Sequence, residues 1–200
     1  MMANQRMLNH NPPESFACYT PDGAQAAGES NLHLSYQRDS IVESVIGYFH
    51  DGGVGNRLDV GHRRWLQSPT LGQVGFGYHQ AMGRGGSASC YNVIASAAIR
   101  ASGPPFIAYP NAGVFPIEML TSRFWTLPWS VSVDAGFRDR WEMTDAWSVA
   151  VWRVNGAELE PLEVEYVNAS SRWYGRNHAV VFSPAFEVTP GIYRVVVESP

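Results

Sequence analysis

The sequence predicts an α+β protein, because helix and strand signals mix in the first half of the chain and only strand signals remain in the second. Glycine and proline clusters, "GRGGSAS" and "ASGPP", interrupt the chain between 83 and 105, and such clusters separate structural elements. The 200 residues are 45% hydrophobic and 12% aromatic, which is enough for one large packed domain or two small ones. We place a domain boundary near 101 and expect domains of residues 1–100 and 101–200.

Helical spacing marks two segments of the first half. The opening "MMANQRMLNH" predicts about two turns of helix with Met2, Ala3 and Met7 on one side. Ser40 and Glu43 form a capping box before apolar residues at helical spacing, which predicts a short amphipathic helix that ends near 52–53. The run "QVGFGY" alternates glycine with larger side chains and predicts a strand with one bulky and one open face.

Short β-branched or aromatic segments separated by turns fill the second half. They predict strands at "WSVSVDA", "WSVAVWRV", "LEVEYV", "HAVVFSP" and "IYRVVVES". Asn155 and Gly156 give the clearest hairpin turn. This spacing predicts an all-β, immunoglobulin-like antiparallel sandwich.

Charge and hydropathy argue against two classes of function. The formal net charge is −4, and the 14 basic residues are scattered, so no surface suited to nucleic acid is indicated. No apolar run approaches the roughly 20 residues that span a bilayer. The first residues lack the apolar core of a secretory signal peptide. We therefore expect no transmembrane segment and no nucleic-acid partner.

Two cysteines, Cys18 and Cys90, lie in the first half. An even pair suits one disulfide that joins an early loop to a later strand, and two buried thiols are the alternative. Of the two, we expect the disulfide.

Four side chains of the first half suit metal binding or acid–base chemistry. They are His10 in "LNHNPP", Glu29 in "AAGESNL", Asp51 in "YFHDGG" and His62 in "VGHRRWL". Imidazoles that bind an ion, with carboxylates that share it or hold the rings in one tautomer, make up a zinc-type site. Because the four residues lie in separate loops, their spacing alone leaves a metal site and unrelated polar residues as alternatives.

Two motifs of the first half occur together and in order. "GHRRWLQSP" followed by "VGFGY" is similar to the pattern GHR-x-x-(I/L)-L-x-P with V-G-x-G, and "AGESNL" is similar to A-G-E-N-(I/L) with one inserted residue. Through them, residues 1–99 resemble the CAP superfamily, the SCP-like group of cysteine-rich secretory, antigen 5 and pathogenesis-related 1 proteins, in its bacterial secreted form. The resemblance implies an extracellular protein with an N-terminal α-β-α sandwich whose central sheet includes "QVGFGY".

The resemblance also implies a cavity formed by two histidines and two acids. By position these are His10, Glu29, Asp51 and His62. In such a cavity the two histidines hold zinc or another divalent metal ion across an open groove, and the acids hydrogen-bond to them. Asp51 stands three residues after Tyr48, where the family has glutamate, so Glu43 and His50 are alternatives for that position.

One part of the family domain has no counterpart here. CAP domains begin with a long helix before the segment equivalent to "MMANQRML", and this sequence has no residues for it. We therefore expect the chain to be a fragment or the product of an incompletely predicted reading frame, and we expect a partner to cover the apolar sheet face that the missing helix leaves. Within the motif we expect Arg63 and Arg64 on the helix surface or near its cap, and Trp65 and Leu66 in the core.

Three functions remain open for this groove. The first is a secreted binding module that takes a metal ion and an extended ligand, such as a peptide, a lipid or a cell-wall component. The second is a zinc-dependent hydrolase, a peptidase, in which Glu29 or Asp51 accepts a proton from metal-bound water. The third is a purely structural surface or adhesion protein. We prefer the binding module, because two histidines are fewer than the three protein ligands typical of catalytic zinc.

Overall fold

The computed structural model describes residues 1–37, 39–69, 71–82, 86–94, 104–122, 127–133, 147–172, 174–175 and 178–198. These residues include four short α-helices and ten strands, and the strands form three antiparallel sheets. The α+β class is therefore confirmed, with strand dominant over helix. None of the described helices has the length and apolar character needed to cross a membrane.

The chain divides into two compact units. Unit 1 consists of residues 1–49 and 68–101, and unit 2 consists of residues 50–67 and 102–200. Residues 50–67, which include "GHRRWL", belong to the predicted first domain, 1–100. In the structure these residues group with the strands of the second half of the chain.

Among the described residues, unit 1 has a three-stranded sheet and three helices. The helices are α1 (Met2–Gln5), α2 (Pro21–Gly28) and α3 (Ile41–His50), and the strands are β1 (Ser30–Ser35), β2 (Gly75–Gln80) and β3 (Ser87–Asn92). The last residue of α3 belongs to unit 2. The strand order is β1-β3-β2, and β1 and β2 both pair antiparallel to β3. One cluster of buried apolar side chains in unit 1 consists of Met2, Ala3, Ala27, Leu32, Ala81 and Ala88.

Local signals place two helices and one strand of unit 1. The capping box is confirmed, because Ser40 N donates to Glu43 Oε2 (2.6 Å) and Glu43 N donates to Ser40 Oγ (3.2 Å) at the start of α3. The strand predicted at "QVGFGY" is confirmed as β2. The first helix is shorter than expected: α1 ends at Gln5, because the next residue, Arg6, adopts the left-handed conformation (φ 53°). Met7 therefore lies outside the helix and is exposed.

The expected disulfide between Cys18 and Cys90 is not formed, and both cysteines are free thiols. Cys90 lies on β3 opposite Gly77 and packs against the core of unit 1. A Cβ atom added at Gly77 would lie 2.8 Å from Cys90 Sγ, so the glycine provides the room that the thiol occupies. Cys18 is exposed, and its sulfur accepts a long hydrogen bond from Asn4 Nδ2 (3.8 Å). The two thiols thus occupy different environments.

In the part of unit 2 that the structure describes, seven strands form two antiparallel sheets. A four-stranded sheet has the order β4-β5-β9-β8, and a three-stranded sheet has the order β10-β6-β7. The strands are β4 (Phe106–Tyr109), β5 (Trp129–Val133), β6 (Ser148–Asn155), β7 (Glu158–Leu162), β8 (Val164–Ser170), β9 (His178–Pro184) and β10 (Ile192–Glu198). Within the described residues, each of the five predicted segments coincides with a strand, and "LEVEYV" is divided between β7 and β8. Residues 134–135 and 199 of these segments lie outside the described residues. Helix α4 (Gly61–Leu66) and a short 3₁₀ helix (Ile117–Met119) complete the unit.

The predicted hairpin at Asn155–Gly156 is confirmed. Asn155 pairs with Glu158, which leaves Gly156 and Ala157 as a two-residue loop between β6 and β7. Gly156 has φ 65°, the positive angle that this tight turn requires at its first central position.

Aromatic packing joins the two sheets of unit 2. Trp129 on β5 is almost fully buried, and its ring meets Phe182 on the neighbouring strand β9 edge to face. The same ring lies 5.9 Å, centroid to centroid, from Tyr193 on β10 of the other sheet. The two sheets therefore share one apolar core.

Candidate functional site

The structure brings together two of the four candidate residues, Asp51 and His62, within unit 2. Asp51 follows the end of α3 and adopts the left-handed conformation (φ 48°), which aspartate tolerates better than most residues. This conformation and the loop after it place the carboxylate at the first turn of α4. The Asp51 side chain is 1% exposed and the His62 side chain is 26% exposed.

Asp51 caps helix α4 from a distance in sequence. Val60 occupies the N-cap position of α4 and supplies no side-chain hydrogen bond. Asp51 Oδ2 instead accepts hydrogen bonds from His62 N (2.9 Å) and Arg63 N (3.3 Å). A carboxylate in this place satisfies backbone donors that have no partner inside the helix and interacts favourably with the helix dipole.

The second carboxylate oxygen orients the imidazole ring. Asp51 Oδ1 lies 2.8 Å from His62 Nδ1. A carboxylate oxygen only accepts, so Nδ1 carries the proton and the lone pair of the neutral ring lies on Nε2. Asn56 Nδ2 also lies 3.4 Å from Nδ1, a longer contact. The pair has the arrangement in which a buried carboxylate fixes the tautomer of a metal-binding or proton-accepting histidine.

Arg63 is fully buried, so the expectation of a surface position is wrong. Its Nη1 donates to Pro128 O (2.8 Å) and Ser130 Oγ (3.1 Å), and its Nη2 donates to His50 O (2.9 Å). The guanidinium also lies 3.9 Å from the centre of the Tyr109 ring. These acceptors make it possible to bury the charged guanidinium. The charge of the side chain, taken alone, predicts a position on the surface.

Arg64 is also fully buried, which corrects the second surface expectation. Its Nη1 donates to Asp59 O (3.3 Å) and Ser170 Oγ (3.0 Å), and its Nη2 donates to Arg172 O (2.6 Å). Burial lowers the pKa of Arg63 and the pKa of Arg64 to about 10 each. Both side chains therefore remain charged at neutral pH.

Alternate residues of β8 hold the loop that precedes α4. Tyr166 Oη donates to Arg57 O (2.7 Å), and Asn168 Nδ2 donates to Leu58 O (2.7 Å). Ser170 Oγ donates to Asp59 Oδ1 (2.6 Å). Alternate strand positions point to one face of a sheet, so these three side chains form a polar ladder on the face of the four-stranded sheet that contacts the loop.

Because the Tyr166 side chain of this ladder is partly buried, we expect the free energy of unfolding to depend on pH in the alkaline range. Burial raises the pKa of Tyr166 to about 12, whereas an unfolded tyrosine ionises near about pH 10. Between these values the unfolded state has lost the proton that the folded state keeps, so the tyrosine's contribution to stability is lost as pH rises. The Tyr166→Phe variant, which lacks the hydroxyl, does not have this loss.

We expect wild type to exceed Tyr166→Phe in free energy of unfolding by about 1 kcal/mol near about pH 8, the value of one hydrogen bond. This gap is expected to narrow between about pH 10 and about pH 12. Urea denaturation at several pH values measures it. A gap that stays constant across this range would show that the hydroxyl is not protected in the folded state.

The other two candidate residues, His10 and Glu29, lie in unit 1 at the C-terminal end of α2. His10 is exposed, and its Nδ1 donates to Ala27 O (2.8 Å), so the lone pair of the neutral ring is on Nε2. Glu29 accepts hydrogen bonds from Gln25 Nε2 (3.0 Å) and Asn92 Nδ2 (3.3 Å). These two residues thus have partners within their own unit.

The alternatives to Asp51 have other roles. Glu43 is used in the capping box of α3. His50 Nε2 lies 3.3 Å from Glu118 O, and burial lowers the pKa of His50. Within the described residues, no group of three or more His, Cys, Asp or Glu side chains is arranged to hold a metal ion.

The residues that support the site differ from the sequence-based expectation. Arg63 and Arg64 are buried and not on the surface, and the polar ladder of β8 is an addition to the predicted site. A signal for the ladder is present, because "YVNAS" alternates polar Tyr166, Asn168 and Ser170 with apolar residues inside a predicted strand. Trp65 and Leu66, which we expected in the core, are half-buried.

Comparison with known proteins finds no match for this chain: no family model fits it, and no curated protein or solved structure has significant similarity.

Proposed function

We propose that this chain is a secreted, CAP-like binding protein in which His62, oriented by Asp51, binds a divalent metal ion and an extended ligand such as a peptide, a lipid or a cell-wall component. The motifs "GHRRWLQSP", "VGFGY" and "AGESNL" support the family assignment. The seven antiparallel strands of unit 2 support an immunoglobulin-like sandwich as the second part of the proposal.

One observation carries the proposal. A nearly inaccessible carboxylate accepts the Nδ1 proton of a partly exposed histidine, at 2.8 Å. This contact costs the desolvation of Asp51, and it yields an imidazole of defined tautomer with the basic nitrogen at Nε2. Histidines that bind metal ions are oriented in this way by a carboxylate behind the ring.

The Asp51–His62 pair can supply one ligand of a metal site, the Nε2 nitrogen of His62. His62 can supply an imidazole nitrogen, which suits zinc and other divalent transition metals, and Asp51 supports it from behind. A bound ion would supply a positive charge that attracts carbonyl or carboxylate oxygens of the extended ligand. His10 and Glu29, which the family resemblance assigns to the same function, lie in unit 1, and variants at these positions measure their contribution.

Binding has more support than hydrolysis. A hydrolase needs a carboxylate that can accept a proton from metal-bound water. The Asp51 carboxylate already accepts three N–H bonds, from His62 N, His62 Nδ1 and Arg63 N. It therefore suits a positioning role, and Glu29 is the remaining candidate for a base.

Calorimetric titration with zinc tests the proposal. We expect His62→Ala to weaken zinc binding by at least about tenfold relative to wild type, because it removes the ligating nitrogen. The matched control is His79→Ala, since His79 is an exposed histidine on β2 outside the candidate set. The control is expected to retain the wild-type affinity within about twofold.

Equal zinc affinity in wild type and His62→Ala would contradict the proposal. His10→Ala and Glu29→Ala in the same titration report whether those residues take part. Peptidase activity that is lost both with a chelator and in Glu29→Ala would favour the hydrolase over the binding protein.

A further inference from the structure

We infer that Arg63 is a positioning residue, which ties the Asp51–His62 pair to the four-stranded sheet of unit 2. The inference rests on the proposed function only where it concerns ligand binding. The geometric part concerns the orientation of His62 and stands independently of any ligand.

The guanidinium is held firmly by the sheet. Nη1 donates to Pro128 O and to Ser130 Oγ at the beginning of β5, and the Tyr109 ring of β4 lies against its face. The planar guanidinium has its donors in fixed directions, so several acceptors and a stacked ring together define one orientation. Arg63 thus has little freedom to move relative to the two strands.

Arg63 contacts Asp51 from two directions. Nη2 donates to His50 O (2.9 Å), the carbonyl of the peptide bond that links His50 to Asp51. The backbone N of Arg63 donates to Asp51 Oδ2 (3.3 Å). One arginine therefore fixes both the peptide that precedes the left-handed Asp51 and the carboxylate that orients His62. The order of contacts runs from the sheet to Arg63, from Arg63 to Asp51, and from Asp51 to His62.

Arg64 provides a matched comparison in the same helix. It is as deeply buried as Arg63 and binds the same sheet, at Ser170 of β8. Its guanidinium, however, bonds Asp59 O and Arg172 O and lies over the Tyr174 ring. A general loss of packing affects variants at both arginines, whereas a loss of Asp51 positioning affects variants at Arg63 alone.

The test is nitrogen-15 NMR of the histidine side chains in the full chain, at a pH where His62 is neutral. The tautomer ratio of His62 is measured in wild type, Arg63→Lys and Arg64→Lys. We expect Arg63→Lys to lower the preference for the Nδ1-protonated form by about fivefold, comparable to the loss of one hydrogen bond. Arg64→Lys is expected to stay within about twofold of wild type.

Ser130→Ala is a second, milder variant, because it removes one acceptor of Arg63 and leaves the arginine in place. It is expected to shift the tautomer ratio in the same direction by about twofold. If Arg63→Lys does not fold, this variant decides the question. A wild-type ratio in a folded Arg63→Lys, or in Ser130→Ala where Arg63→Lys does not fold, would overturn the inference, as would equal shifts in the two lysine variants.

Zinc titration of the same variants separates this inference from the proposed function. If both hold, Arg63→Lys weakens zinc binding by about tenfold, the size typical for residues behind a metal ligand. If wild type binds no zinc but the tautomer ratio shifts as expected, the proposed function fails and the positioning role stands. If wild type binds zinc and the ratio does not shift in a folded Arg63→Lys, the positioning role fails alone.

Discussion

Replacing Arg63 by methionine is expected to lower the free energy of unfolding of unit 2 by about 3–5 kcal/mol. Methionine fills part of the same volume, but it leaves the buried Pro128 O and the part-buried His50 O without their donor. Each buried acceptor that loses its donor costs about 1–3 kcal/mol. The loss of contact with the Tyr109 ring adds to this cost.

Urea denaturation followed by tryptophan fluorescence measures this loss, because all seven tryptophans lie in residues assigned to unit 2. The control is Arg153→Met. Arg153 is only half-buried, although its Nη2 also donates to a proline carbonyl, Pro190 O, and it also lies over a tyrosine ring. We expect the control to lose at most about 1 kcal/mol. Similar losses in both variants would mean that the burial of Arg63 adds nothing to stability.

Much of the fold could be predicted from the sequence because its signals are local. The capping box of Ser40 and Glu43 and the turn from Asn155 to Glu158 each span only four residues. The alternation in "QVGFGY" and in the second-half segments reflects the two-residue period of a strand. Each of these features depends on residues that are close together in the sequence. The sequence alone is therefore enough to predict them.

The burial of Arg63 and Arg64 could not be predicted in this way, because their acceptors are distant in sequence. Ser130 follows Arg63 by 67 positions, and Ser170 follows Arg64 by 106. Two adjacent arginines near the start of a helix are usually exposed to solvent. Burial of Arg63 and Arg64 is favourable because other segments of unit 2 supply carbonyl and hydroxyl groups that accept their hydrogen bonds. The same contacts explain why residues 50–67 group with the second half of the chain.

The candidate site was predicted in part. Position in the motif identified Asp51 and His62, but the shorter side chain of aspartate gave reason to consider Glu43 and His50 instead. The left-handed backbone at Asp51 and the loop that follows it bring the carboxylate close to His62. The short side chain of aspartate therefore reaches the imidazole ring. This arrangement is not evident from the local sequence, because the acceptors of the neighbouring Arg63, Pro128 O and Ser130 Oγ, are 65 and 67 positions away.

Replacing Asp51 by alanine is expected to have the second large effect, a loss of about 3–4 kcal/mol in the free energy of unfolding together with weaker zinc binding by about 10–100-fold. The variant removes the acceptor of His62 Nδ1 and of two backbone donors of α4. It also removes a negative charge that favours the charged form of the buried Arg63. Alanine in the left-handed conformation adds about 1 kcal/mol of strain.

Asp51→Asn separates these contributions. Asparagine tolerates the left-handed conformation and keeps one acceptor oxygen, so we expect about half the loss of stability. Its amide NH₂ cannot accept the proton of His62 Nδ1 while its oxygen caps α4, so zinc binding is expected to fall nearly as far as in Asp51→Ala. Urea denaturation and zinc titration of both variants measure the two effects. Wild-type zinc affinity in Asp51→Asn would mean that the carboxylate does not orient His62 for binding, and that its contribution is to the stability of α4 alone.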